Sequence, residues 1–404
     1  MIQAHDRYAF DRVGWMSLAW SLYLLCVGTS FFVIVEPAPT DAIFVLVLGT
    51  LLLAKLKPVR LIGPVETIAL LLFVWFTLLS LSVGEILHLF SALRAAGIQI
   101  YMVLLFVVTA YFAHIGGDRA FRTILTALAV AGFIAGLIGL MAYMSLIPSG
   151  ISWLFFRDEF QTRVSSTFKD PNVLGPFLVP TVLFTLWLAI SSPRFRIRAF
   201  VACAVCFLCL VITYSRGAWV HMAMSGLLFG AILLVYRRTA FSTFSCILAA
   251  LIAALLAASI LNSEIQAWFE ASYLGTRLSY QDYDQERFAA MALAFGWIAE
   301  QPFGLGPNQV SAHYGRYPHN TPINLAVNNG VFAAIGFVLL YLAAVTRCLV
   351  KTVKNRPGWI KYAFVLSILA GLMVLINVVP ALHWRHMYVV LGLAYGQYRS
   401  NSIF

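Results

Sequence analysis

The sequence has little charge for its length. Only 11% of its 404 residues are charged, whereas about a quarter of the residues are charged in water-soluble proteins. Hydrophobic residues make up 61% of the chain, and the mean hydropathy is +0.88. This composition excludes soluble globular, disordered and collagen-like classes. It predicts an all-α polytopic membrane protein whose single transmembrane domain spans 1–404.

Cysteine is also scarce, and all six cysteines lie within apolar stretches, which excludes a disulfide-stapled scaffold. Three of them, Cys203, Cys206 and Cys209, have a spacing that resembles a metal site. They fall inside one predicted helix, where a step of three residues turns the chain by about 300° and separates the thiols. The sequence therefore predicts no metal site and no cofactor.

Apolar stretches long enough to cross a bilayer, about 20 residues, recur along the chain. They predict about twelve transmembrane helices, at 15–35, 42–54, 66–83, 93–114, 122–146, 173–190, 197–214, 217–236, 241–261, 321–346, 361–379 and 384–398. The first is too long for the apolar region of a cleavable signal. The two short stretches, 42–54 and 384–398, leave a re-entrant or interfacial segment open as an alternative.

The basic residues are distributed unequally between the two faces of the membrane. With both termini in the cytoplasm, 18 of the 27 Lys and Arg residues lie inside, as the positive-inside rule requires. The net charge of +11 is therefore a signal of topology and does not indicate nucleic-acid binding. The nine outside are Arg94, Arg157, Arg163, Lys169, Arg216, Arg277, Arg287, Arg316 and Arg385. Because arginine holds phosphate or carboxylate through two parallel hydrogen bonds, this excess predicts an anionic ligand outside.

Two outside segments are long enough to hold a site. Residues 148–172 include an apolar, aromatic stretch at 151–156 that predicts a short helix lying in the interface. Residues 262–319 form a large loop insert within the transmembrane domain. Charges alternate there with Trp, Phe and Leu, which predicts two interfacial helices at 264–274 and 284–300.

The most informative motif is a Gly- and Pro-rich turn at 302–306, followed by His319 and Asn320 at the start of a long apolar helix. Histidine suits proton transfer because its ordinary pKa lies near neutrality. A histidine that only caps the helix or lies at the interface is the alternative.

Three arginines have the same outside position. Arg216 lies in a very short connection between two spans, where the alternative is an interaction with lipid phosphate. Arg163 precedes the turn that opens the next span, and an ion pair with Asp170 is its alternative role. Arg287 lies on the helix that leads into the turn at 302–306, and it could instead pair with Asp284 three residues earlier. Together with the histidine they predict a catalytic set, in which arginines neutralise a diphosphate leaving group and histidine orients or deprotonates a hydroxyl.

These motifs together resemble the O-antigen ligase and O-antigen polymerase superfamily, the bacterial membrane glycosyltransferases that use undecaprenyl-diphosphate-linked glycans. The matching pieces are Arg163 with 168–175, the turn at 215–218, Arg287 with Trp297, the turn at 302–306, and His319 and Asn320 with Gly330.

The resemblance implies an inverting, metal-independent transfer on the periplasmic face of the inner membrane, by a fold similar to the class C glycosyltransferases. Arg216 and Arg287 would hold the diphosphate, and Arg163 would assist in substrate binding. His319 would activate the acceptor hydroxyl, and Asn320 would support its orientation in the substrate-binding site. The implied partners are the undecaprenyl-diphosphate-linked donor, an acceptor that is either lipid A core or a lipid-linked glycan, and membrane lipids.

The sequence does not distinguish a ligase, which passes the glycan to lipid A core, from a polymerase of O-antigen or exopolysaccharide. A transporter or flippase of an anionic lipid-linked glycan is the alternative from another class. It is disfavoured because ionisable residues are nearly absent from the middle of the spans and gather at one face.

Overall fold

The structure of the chain is a computed structural model that describes residues 14–35, 37–54, 56, 59–156, 163–236 and 282–401. Within these ranges every regular element is a helix, which confirms the all-α prediction. The first eight helices are α1 Trp15–Gly28, α2 Pro39–Leu53, α3 Pro64–Val83, α4 Leu89–Tyr143, α5 Ser149–Ser152, α6 Pro171–Ser191, α7 Arg196–Ile212 and α8 Arg216–Tyr236. The next six are α9 Asp282–Glu300, α10 Val310–Tyr314, α11 Thr321–Asn329, α12 Val331–Val353, α13 Trp359–Leu375 and α14 Arg385–Leu393.

Five of the described helices are long and apolar enough to cross a membrane, namely α3, α4, α6, α8 and α12. Three shorter helices, α1, α2 and α13, are also apolar. The chain is therefore a polytopic membrane protein, while the number of twelve spans stays a prediction. The predicted span at 241–261 and the predicted interfacial helix at 264–274 lie outside the described residues.

Helices α2 and α3 begin with the same local device. A proline opens each helix, where the missing N–H is not needed. The carboxylate of Asp41 accepts a hydrogen bond from the backbone N–H of Ala38 at 2.9 Å, and Glu66 accepts one from Gly63 at 3.0 Å. These bonds satisfy N–H groups that the helix itself leaves unpaired. Both acidic residues lie in a first helical turn, where negative charge is favoured.

Helix α4 corresponds to two of the predicted spans. Its 55 residues would extend about 80 Å as one straight helix, far more than the thickness of a bilayer. The backbone leaves the helical region at Gly117, with φ 50° and ψ −128°. This break lies between the predicted spans 93–114 and 122–146, so the chain reverses or bends at the position where the sequence predicts a connection.

The predicted span 321–346 is wrong as a single helix, because it divides at Gly330 into α11 and α12. Gly330 has φ 90°, which disfavours any side chain. The turn at 302–306 packs against this break: the N–H of Val331 donates to Pro302 O at 3.0 Å, and the N–H of Gly306 donates to Asn328 O at 2.8 Å. The prediction joined the two helices although two polar residues, Asn328 and Asn329, directly precede Gly330.

Two other predicted spans are longer than the helices found there. Helix α1 ends at Gly28, where the Thr29 hydroxyl donates to Leu25 O at 2.9 Å, so the prediction of 15–35 is too long. Helix α14 has nine residues, or about 13 Å, and stops at Leu393. The helix is too short to cross a bilayer of about 30 Å by itself, so a full crossing by 384–398 stays a prediction.

Helix packing is strongly aromatic in the core. Phe364 of α13 lies against Phe121 of α4, Phe184 and Trp187 of α6 and Phe229 of α8, with ring centroids 5.5–6.5 Å apart. All five side chains are nearly or completely buried. Edge-to-face and offset ring pairs of this kind stabilise packing beyond the apolar area they bury. The rings therefore hold α4, α6, α8 and α13 together beneath the cavity described below.

One buried ion pair marks the face that the sequence places in the cytoplasm. The ammonium of Lys361 is fully buried and lies 2.9 Å from the carboxylate of Asp118, directly after the break in α4. It also donates to Ser400 O at 2.6 Å, and Asp118 accepts from the backbone N–H of Ser400 at 2.9 Å. These bonds tie the segment after α14 to the break in α4, among residues predicted to share the inner face.

Candidate active site

A cavity of about 910 Å³ opens among α6, α8, α9 and the loops that precede α11 and α14. Its ionisable lining residues are Arg163, Lys169, Asp170, Arg216, Arg287, His319, His383, Arg385 and His386. Four of the five predicted site residues, Arg163, Arg216, Arg287 and His319, therefore line one cavity. The fifth, Asn320, lies next to His319 in the chain and is buried.

The electrostatics of this cavity favour an anion. Five lining residues carry a positive charge, whereas Asp170 is the single acidic residue among the described lining residues. Three helices also begin at the cavity: α6 after Asp170, α8 at Arg216 and α11 after Asn320. The N-terminus of a helix carries a partial positive charge, so the helices add to the field of the arginines.

Arg163 is joined to the start of α8 through Asn172. Its guanidinium donates to Asn172 Oδ1 at 3.2 Å and to Thr213 O at 3.4 Å. The hydroxyl of Ser215 donates to the same Asn172 Oδ1 at 2.9 Å. One amide oxygen therefore accepts from both segments that carry the predicted arginines, and it fixes their separation. We refer to Arg163, Asn172, Thr213 and Ser215 as the donor-side network, after the glycan donor that the sequence resemblance implies.

The turn before Arg216 is strained and tightly packed. Tyr214 has φ 48°, which is uncommon for a residue with a side chain and is often found at functional sites. A Cβ atom added at Gly175 would collide with Ala218, and one at Gly217 would collide with Leu375. Close approach of α6 and α8 thus requires Gly175, whereas the contact at Gly217 is with the end of the flexible Leu375 side chain. Arg216 occupies the first position of α8, directly after this tight contact.

His319 is half-buried, and its ring lies 4.6 Å from that of Tyr317. Burial and, to a smaller extent, the positive charge of Arg287 lower the pKa of His319 to about 4, while Asp170 acts in the opposite direction. The imidazole is therefore neutral at physiological pH and has a lone pair that can accept a proton. Since Arg287 influences this pKa, an anion bound to Arg287 would raise it.

The segment after His319 is bonded to the loop between α13 and α14. The Asn320 side chain caps α11 by accepting from Ile323 N at 2.9 Å, and it donates to Asn377 O at 3.1 Å. The Thr321 hydroxyl donates to Val379 O at 2.7 Å and accepts from Ala381 N at 2.9 Å. The backbone N–H of Thr321 donates to Ile376 O at 2.7 Å. We call the residues that these bonds join, Asn320 and Thr321 with the loop at 376–381, the base-side network, after the predicted role of His319 as a base. Asn320 uses its amide within it, and its part in substrate binding stays a prediction.

The motif at 302–306 supports the site indirectly, because none of its residues lines the cavity. The adjoining Asn328 Oδ1 accepts from the backbone N–H groups of Gln309 and Val310 at 2.8 and 3.0 Å, and Gln309 Oε1 accepts from Leu87 N and His88 N at 2.9 Å each. These bonds attach the end of α11 to α10 and to the loop before α4. The glycines and asparagines of this motif therefore fix the helix break at Gly330.

Sequence reasoning missed several cavity residues. Lys169 and Asn172 lie within a motif that the sequence singled out, but nothing in the sequence shows that one amide joins two segments. His383, Trp384 and His386 fall at the edge of a predicted span, where a concentration of polar and aromatic residues was the available signal. Arg385 was assigned only to the outer face, and the structure pairs it with Asp41, whose carboxylate lies 2.6 Å away. Among the described residues, no three His, Cys, Asp or Glu side chains form a group that could hold a metal ion.

A family model matches part of the chain. Residues 200–338 match the family model described as O-antigen ligase. The matched stretch includes three of the four predicted site residues that line the cavity, Arg216, Arg287 and His319, and Arg163 precedes it. No curated protein matches the chain. The match confirms the superfamily resemblance seen in the motifs.

Proposed function

We propose that the chain is a glycosyltransferase that transfers an undecaprenyl-diphosphate-linked glycan to an acceptor hydroxyl, a proposal that the match of residues 200–338 to the O-antigen ligase family model supports. The proposed location is the inner membrane of a bacterium, with both termini in the cytoplasm and the site on the periplasmic face. The chain would form a single transmembrane domain of about twelve spans, with 262–319 as its large outer loop. The observation that carries the proposal is the cavity, which brings His319 together with Arg163, Arg216 and Arg287.

The arginines meet the requirements of a diphosphate leaving group. When the bond between the sugar C1 and the phosphate oxygen breaks, the diphosphate leaves with the electron pair and its negative charge grows. Arg216 and Arg287 stabilise that charge, and the helix N-termini around them add to the effect. Arg163 assists from the donor-side network. Because these cations neutralise the charge themselves, we propose a transfer that is independent of a metal ion.

His319 acts on the acceptor hydroxyl. The acceptor oxygen forms the new bond to C1 and loses its proton to the neutral imidazole of His319. Attack from the side opposite the departing diphosphate inverts the configuration at C1. A bound diphosphate cancels the effect of Arg287 on the histidine and raises its pKa, so donor binding makes His319 a stronger base. Asn320 supports the orientation of His319 through the base-side network.

The test compares variants of the cavity with matched controls. His319→Ala and Arg216→Ala should each reduce transfer at least 100-fold, because general-base and electrostatic contributions are each of about this size or larger. His313→Ala and Arg316→Ala serve as controls, since both residues lie in the same outer region and neither lines the cavity. Purified protein in proteoliposomes, supplied with donor and acceptor, gives the rate. Full activity of both cavity variants would refute the site assignment.

The acceptor decides between the two branches of the family. In a deletion strain complemented with His319→Ala, surface polysaccharide is separated on an SDS gel. Long chains that accumulate without attachment to lipid A would identify a ligase. Loss of long chains, with single repeat units attached to lipid A or left on the lipid carrier, would identify a polymerase. Movement of the donor across the bilayer without a new glycosidic bond would instead identify the transporter or flippase considered above.

A further inference from the structure

A second cavity, of about 400 Å³, opens where α12 ends and α13 begins, on the face that the sequence places in the cytoplasm. Four cationic residues line it, namely Lys351, Lys354, Arg356 and Arg399, and the described lining residues include no Asp or Glu. We call this space the basic cavity. Four positive charges around one concave space, with no carboxylate among the described lining residues, favour an anionic ligand.

The basic cavity is separate from the candidate active site. Leu375, at the end of α13, lines the active-site cavity, whereas Tyr362, near the start of the same helix, lines the basic cavity. The two residues are about 20 Å apart along the helix axis. A ligand in the basic cavity therefore does not reach the arginines and the histidine of the active site, and the inference does not depend on glycosyl transfer.

Hydrogen bonds fix the walls of the basic cavity. The loop after α12 folds back on the helix, where the backbone N–H of Arg356 donates to Lys351 O at 3.2 Å. The backbone N–H of Gly358 donates to Asn401 Oδ1 at 2.8 Å, which attaches the segment after α14 to the same loop. The protein itself thus holds together the three segments that carry the cations.

The cations of this region lie close enough to repel one another. The ammonium of Lys351 lies 5.9 Å from the centre of the Tyr362 ring, and the positive charges of Arg347 and Arg356 act on it. Contact with an aromatic face offsets only part of such repulsion. The positive-inside rule accounts for cations at this face, but it requires neither a cavity nor several cations held around one. Their arrangement therefore indicates binding in addition to topology.

The surroundings of the basic cavity favour a phospholipid over a soluble anion. In the last turn of α12, Leu349, Val350 and Val353 are 46%, 41% and 57% exposed, so apolar surface adjoins the cations. A phospholipid carries the matching combination, a phosphate at the level where its acyl chains begin. Lys and Arg donate charge-assisted hydrogen bonds to phosphate oxygens, and basic pockets between membrane helices bind anionic headgroups. A soluble phosphate would leave the apolar residues uncovered.

We propose that the basic cavity binds the phosphate of an anionic membrane phospholipid, such as phosphatidylglycerol, whose acyl chains lie along the last turn of α12. Lys351, Lys354, Arg356 and Arg399 neutralise the phosphate. These cations lie on α12, on the loop that follows it and on the segment after α14. The lipid therefore links three segments of the chain and stabilises the folded protein, because it binds only when they are together.

The test measures lipid binding by the purified full-length protein in a neutral detergent. Native mass spectrometry gives the Kd for phosphatidylglycerol and for phosphatidylcholine with the same acyl chains, which is zwitterionic. Wild type should bind phosphatidylglycerol more tightly. The double variant Lys354→Gln/Arg356→Gln changes two exposed residues. It should bind phosphatidylglycerol about 25-fold more weakly than wild type, since each Lys or Arg near an anionic lipid contributes about fivefold.

Arg196→Gln/Arg198→Gln is the matched control. Both arginines are exposed, belong to the face that the sequence places in the cytoplasm, and line neither cavity. This variant loses the same charge, and its Kd for phosphatidylglycerol should match wild type. Gel filtration and the melting temperature without added lipid check the folding of each variant. If the double variant does not fold, Arg399→Gln is measured in its place.

Three results would overturn the proposal. Equal affinity of wild type for the two lipids would show that the phosphate charge is not recognised. An equal loss of affinity in the double variant and in the control would show a general attraction to this face. Inorganic phosphate at constant ionic strength distinguishes the source of the anion: if it raises the melting temperature of wild type as much as phosphatidylglycerol does, the cavity takes a soluble anion and the lipid assignment is wrong.

Discussion

The protonation state of His319 should be visible in the pH dependence of transfer. Burial and the charge of Arg287 lower the pKa of His319 to about 4 in the free protein. A histidine with the ordinary pKa of about 6.5 would be about 90% protonated at pH 5.5, whereas His319 stays almost wholly neutral there. Protonation, which abolishes the base, therefore begins only as the pH falls toward 4. The value of kcat/KM for the donor, which reports the free protein, should be constant from about pH 8 to about pH 5.

Bound donor should change this behaviour. A diphosphate next to Arg287 cancels the positive charge that lowers the pKa of His319, so the pKa rises in the complex. Because burial is the larger cause of the lowered pKa, we expect bound donor to raise the pKa of His319 only in part. The acid limb of kcat, which reports the complex, should therefore lie at higher pH than the acid limb of kcat/KM.

Initial rates in proteoliposomes between about pH 4 and pH 8.5 provide both profiles. Protein incubated at each pH is returned to pH 7 and assayed again, so that unfolding is separated from titration. His319→Gln should retain little activity and show no acid limb of this origin. A kcat/KM profile with its midpoint near 6.5 would refute the environment assigned to His319. Identical acid limbs in the two profiles would refute the coupling to Arg287.

Three further predictions concern the supports of the site. Asn172→Ala removes the oxygen that Arg163 and Ser215 share, and it should lower kcat/KM for the donor about tenfold. Ser215→Ala leaves the bond between Arg163 and Asn172 intact, so a loss as large as that of Asn172→Ala in the same rate assay would contradict the shared-acceptor argument. Gly330→Ala places a Cβ 2.8 Å from the backbone of Phe303 at φ 90°, and it should lower the yield of folded protein in gel filtration; a wild-type yield and melting temperature would show that the helix break tolerates a side chain.

The sequence predicted the membrane helices well where hydrophobicity alone decides the structure. Helices α3, α6 and α8 begin and end within a few residues of the predicted spans at 66–83, 173–190 and 217–236. The break at Gly330 was missed although Asn328 and Asn329 directly precede it. The break packs against the turn at 302–306, and a tertiary contact of this kind leaves no local pattern in the sequence.

The candidate site was predicted in part for a related reason. Arginines on the disfavoured face of the membrane are conspicuous in a sequence, and so Arg163, Arg216 and Arg287 could be singled out. Asn172 was not, because asparagine at a helix start is ordinary and its bond to Ser215 joins segments 43 residues apart. Trp384 and His386 line the cavity but fall within the predicted apolar span at 384–398, and so the sequence did not single them out.

The two hydrogen-bonded networks occupy different segments of the chain. The donor-side network is confined to 163–172 and 213–215, and the base-side network joins 320–321 to 376–381. Because the two networks share no residue, a substitution in one removes no hydrogen-bond partner from the other. The segment that carries His319 and the segment that carries Arg163 can therefore be perturbed separately by mutation.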